Sequence, residues 1–131
     1  MREGSLIYDG IAPPEKVSAE DRFLRVELNS TFSMKEAVDQ IDAAIRDSRD
    51  SGNRRILADI RAAGFGPPTV FDRYNVFKRW AASAGGAVKM AVVARPEFID
   101  PERIGVTIAE NRGFIANVFA DESEAIDWLL E

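Results

Sequence analysis

The order of elements in residues 55–131 constrains the fold more than any other feature. Short apolar segments at 56–60, 88–94 and 115–119 alternate with helical segments at 69–84, 101–112 and 122–130. Two parallel strands cannot be joined by a tight turn and need a crossover, most often a helix. Alternation at this spacing therefore predicts βαβ units and a mostly parallel sheet.

Upstream the pattern changes. Leu24, Val26 and Leu28 alternate with Phe23, Arg25 and Glu27, which reads as a half-buried strand near the sheet's edge. Its hairpin neighbour, antiparallel to it, is expected at residues 6–8, ahead of the turn at Ala12-Pro13-Pro14. A helix follows, opened by the capping box Ser33-x-x-Glu36. Its apolar stripe is Met34, Ala37, Val38, Ile41, Ala44 and Ile45, and Gly52 is the expected left-handed stop. Asp100-Pro101 and Asp121-x-x-Glu124 are start signals for the last two helices. The expected architecture is one α/β domain over residues 1–131: a mixed, mostly parallel sheet of about four to five strands with helices mainly on one face.

Composition narrows function by exclusion. The chain of 131 residues has no His and no Cys. Imidazole bases, thiol nucleophiles, disulfides and thiolate or imidazole metal sites are therefore ruled out, and neither a cofactor nor a metal is expected. The net charge of −5 is spread over both halves without a basic block, which argues against nucleic acid. No apolar run reaches the roughly 18–20 residues of a membrane span, and the first residues lack the apolar core of a secretory signal. A cytoplasmic protein is the resulting expectation.

Few groups are placed to do chemistry. Gly64-x-Gly66 sits between a strand and a helix, where open α/β sheets bind ligands. Pro67 and Pro68 remove amide donors that a phosphate loop needs, so the glycines read as a tight turn and the prolines as a stiff helix entry. Asp59 and Arg61, two apart, share a face at the strand's end, where Asp59 reads as accepting loop amides with Arg61 paired to it, or the two line the crevice together. Arg95 lies on the same side of the crevice, and with Arg73 and Arg112 it makes a candidate rim for an anionic ligand. The helix from Thr69 is aromatic: Val70, Tyr74, Phe77, Ala81 and Ala84 share one face, and Phe71, Val76 and Trp80 flank it. That stripe is wider than packing on a sheet requires, so the flanks serve as intrachain cover or as an interface.

Several segments carry a resemblance. Leu57-Ala-Asp-Ile-Arg61, Met90-Ala-Val-Val-Ala-Arg-Pro-Glu97, Ile99-Asp-Pro-Glu-Arg103, Ala109-Glu-Asn-Arg-Gly113 and Val118-Phe-Ala-Asp-Glu-Ser-Glu-Ala-Ile-Asp-Trp-Leu129 resemble the SpoIIAA-like proteins, of the STAS fold and often grouped with CRAL-TRIO lipid-binding domains. The resemblance implies a sheet with helices mainly on one face and a regulatory, non-enzymatic role. It also implies that a residue near Thr69 is a phosphorylation switch, but Gly66-Pro-Pro-Thr-Val70 lacks the family's Asp-Ser-Ser-Gly pattern, and Thr69 reads as a helix cap. The expected function is to bind a protein partner through Thr69, Arg73, Val76 and Trp80, as a homodimer. The alternative is a small apolar or anionic, lipid-like ligand in a pocket at the C-terminal strand ends, with Asp59, Arg61, Arg95 and Arg112 at its rim. The first reading loses its main residue if Trp80 is fully buried, and the second predicts a cavity of a few hundred Å³ or more.

Overall fold

A computed structural model describes residues 22–131. The strands are β1 (Leu24–Glu27), β2 (Arg55–Asp59), β3 (Lys89–Val93) and β4 (Ile115–Phe119), all parallel in one sheet of order β1-β2-β3-β4. The helices are α1 (Met34–Ser51), α2 (Val70–Ala84), α3 (Ile104–Asn111) and α4 (Glu122–Leu129). The α/β class and the parallel sheet are as expected from the alternation. The proposed strand at residues 6–8 lies outside the described residues, and among them β1 and β4 are the two edge strands of the sheet.

Strand order follows chain order without reversal. Crossovers of a single hand then place α1, α2 and α3 on the same face. Val26, Ala58 and Val92 face these helices, in the register Val26–Ala58–Val92–Val118. The intervening residues Leu57, Ala91 and Val93 point the other way, towards Ala125 and Leu129 of α4. Burial on both sides explains why β2 and β3 read as continuous apolar runs. The second face is polar where α4 leaves it open: Arg25, Glu27, Asp59 and Lys89 all keep contact with solvent.

Local signals account for most boundaries. Both halves of the Ser33/Glu36 capping box form, and Gly52 ends α1 in the left-handed conformation. Thr69 and Asp72 make a second capping box at the start of α2. One boundary differs from expectation: α3 starts at Ile104, not at Pro101. Asp100 is a turn residue here; its Oδ1 accepts the Glu102 N–H at 3.0 Å and its Oδ2 the Ile104 N–H at 2.9 Å. Arg103, at φ 54°, occupies the left-handed region just before the helix, so the backbone cannot be helical from Pro101 onward.

Candidate functional site

The helix from Thr69 is not the surface that its sequence pattern suggests. Trp80 is 6% exposed; its ring meets Phe77 edge-on at 5.3 Å, and its Nε1 donates to the Val38 carbonyl of α1 at 3.2 Å. Trp80 is therefore a core residue between α1 and α2, and no partner can reach it on the folded chain. Val76 is half-buried on the same side. Arg73 turns inward, its Nη2 donating to the Phe98 carbonyl at 3.0 Å. Thr69 is exposed, but its hydroxyl accepts the Asp72 N–H at 3.0 Å as the helix cap. The four residues do not make one surface.

What α2 exposes is its N-terminal end. Val70 is 57% exposed, Phe71 72% and Tyr74 37%, three of the four exposed large hydrophobic residues among those described. Val70 and Tyr74 share a helical face with the buried Phe77, yet at the start of the helix that face is open to solvent. Cations flank the patch: Lys78 and Arg112 lie near the Tyr74 ring, at 5.7 and 5.8 Å from its centroid. Helical phase alone does not reveal where along a helix its cover ends.

Three of the proposed rim residues do come together, as structural supports. Arg61 Nε donates to Asp59 Oδ1 at 2.9 Å, and its Nη2 bridges Asp59 Oδ2 and Glu122 Oε1 at 2.7 Å each. Arg25 reaches Glu122 Oε2 at 2.5 Å and Asp59 at 3.9 Å, tying α4 to β1 and β2. Burial opposes ionisation of Asp59, but hydrogen bonds from Arg61 and the charges of Arg61 and Arg25 outweigh it and hold its carboxyl below the usual range. Arg95 spans the loop, its Nη1 donating to the Arg61 and Ala63 carbonyls at 2.6 and 3.0 Å and its Nε to Glu97 at 3.0 Å. Arg112 lies apart, against Tyr74. Gly64 serves close approach: a Cβ there would come within 2.3 Å of the Ser30 carbonyl oxygen. Because the strand order never reverses, the described sheet also lacks the switch-point crevice that binds nucleotides.

An apolar cavity of ≈ 100 Å³ lies at the C-terminal strand ends, beneath α1 and α2. Its walls include Leu28, Val38, Val76, Phe77, Val92 and Phe98. Arg73, Asp100 and Arg103 are its polar lining, so its rim is not the Arg61–Arg95 pair. Among the described residues no group of acidic side chains could hold a metal ion, and no helix is long and apolar enough to cross a membrane. No protein-family model matches the chain, and comparison with curated proteins and solved structures returns no significant match.

Proposed function

We propose that the chain is a non-enzymatic, STAS-like interaction domain with a regulatory role, which docks a protein partner through the start of α2 and self-associates as a homodimer. The observation that carries this reading is the exposure of Val70, Phe71 and Tyr74 within two turns of one rigid helix. Contiguous apolar side chains left in water mark interaction surfaces, and aromatic residues supply much of the energy at such contacts. The docking residues are thus Val70, Phe71 and Tyr74, with Thr69 capping the helix that presents them. A photo-crosslinker at position 71 is expected to capture one discrete protein in the native cell, and one at Lys35 none. Native mass spectrometry should give a dimer that Phe71→Ser converts to monomer. A monomeric protein with no crosslink specific to position 71 would remove the proposal.

The second reading, a small ligand at the C-terminal strand ends, is favoured by the apolar cavity. At ≈ 100 Å³ it is well below the few hundred Å³ of a drug-sized ligand site, so a long lipid chain does not fit.

A further inference from the structure

We infer that the cavity beneath α2 is a site for a short monocarboxylate, with its hydrocarbon part enclosed and its carboxylate at Arg73; this rests on the ligand-binding reading above. Size sets the first limit. An apolar cavity of about 150 Å³ stays dry and holds benzene, so ≈ 100 Å³ accommodates roughly four carbon atoms. Chemistry of the walls sets the second. Val38, Val76, Val92 and Phe98 offer no hydrogen bonds, and a polar ligand body buried among them would lose its own.

Charge at the mouth selects the head group. Arg73 spends one N–H on the Phe98 carbonyl, and its other donors have no acceptor among the described residues. Arg103 lines the same cavity, with one N–H donated to Asn117 Oδ1. The acid at this mouth, Asp100, uses both carboxylate oxygens on backbone amides of its own turn. Asp100 stays ionised and interacts with the Arg73 charge, yet two guanidinium groups with free donors against one carboxylate leave the lining net positive, which favours an anion, and the planar fork of arginine matches a carboxylate.

The test is a titration of the ¹⁵N-labelled full chain with propanoate, butanoate and pentanoate, and with the matching alcohols. Saturable shifts confined to the cavity walls are expected, with the acids binding at least about tenfold more tightly than the alcohols. Arg73→Gln should abolish that preference, the acids then binding no more tightly than the alcohols. Val76→Phe, which fills the cavity from a half-buried position, should abolish binding of both, with Ile99→Phe as a second filler if Val76→Phe loses its native spectrum. Equal binding of acids and alcohols would overturn the carboxylate assignment while leaving a ligand site. No saturable shift from any compound up to roughly 10 mM would overturn the site and the ligand-binding reading together.

Discussion

Ser48 and Trp80 show how far burial, rather than residue type, decides the effect of a change. Ser48 is 1% exposed in α1, and its hydroxyl has no hydrogen-bond partner among the described residues. A buried polar atom without a partner costs stability, and alanine is also the better helix former. Ser48→Ala is therefore expected to raise unfolding stability by about 0.5–1.5 kcal/mol, read from the urea midpoint at unchanged slope. The opposite holds for Trp80. Its removal opens a cavity between α1 and α2 and deletes the Nε1 bond to Val38, so Trp80→Ala should cost about 3–5 kcal/mol in the same measurement. The residue is conspicuous in the sequence at the edge of the stripe. Whether that edge meets water or α1 depends on where α1 sits, and helical phase does not encode this.

At the scale of elements, the contact between α2 and α3 depends on one small residue. A Cβ at Gly105 would meet the Phe77 ring at 2.5 Å, and that ring is packed against Trp80. Alanine improves helix propensity by up to about 1 kcal/mol, but forcing two packed helices apart costs more, typically about 1–3 kcal/mol. Gly105→Ala is expected to lower stability by about 1–2 kcal/mol, measurable by denaturant unfolding. An unchanged midpoint would mean that the helices separate freely. The helix starts differ in how readable they were. Capping boxes at Ser33 and Thr69 involve residues three apart in the chain, so sequence alone locates them. The beginning of α3 depends on a left-handed Arg103, a conformation that arginine does not announce, and Asp100-Pro101 is equally consistent with a turn.

For the whole molecule, the absence of His and the cluster of paired carboxylates set the response to pH. Asp59 has a folded-state pKa below its ordinary value, as do Asp39 through Lys35 and Arg79, and Asp100 through the Ile104 and Glu102 amides. Groups depressed in this way stabilise the fold above the unfolded carboxylate pKa, about 4, and lose that contribution as the pH falls through the lower folded value. With no His in the chain, no side chain with an ordinary pKa titrates between about pH 5 and 8. Thermal unfolding temperatures should thus be nearly constant over that range and drop below pH ~4. Asp59→Asn should lower the plateau and make the acid decline shallower; an equally steep decline would show that the Arg25–Asp59–Arg61–Glu122 network is not a principal source of it.

The chain's own pattern determined the parallel α/β sheet, its four described strands, the capped starts of α1, α2 and α4, and the exclusion of thiol and imidazole chemistry. These rest on periodicity and on contacts between residues three or four apart, which a linear string contains. Tertiary structure alone decided which side chains of α2 face water, that Trp80 lies in the core, that Arg95 spans the loop and Glu122 joins the Asp59–Arg61 pair, and that a cavity lined by Arg73 lies beneath the helix. Each of these depends on how far an element extends past its neighbour and on what packs opposite it, distances set by the joint packing of α1, α2 and the sheet.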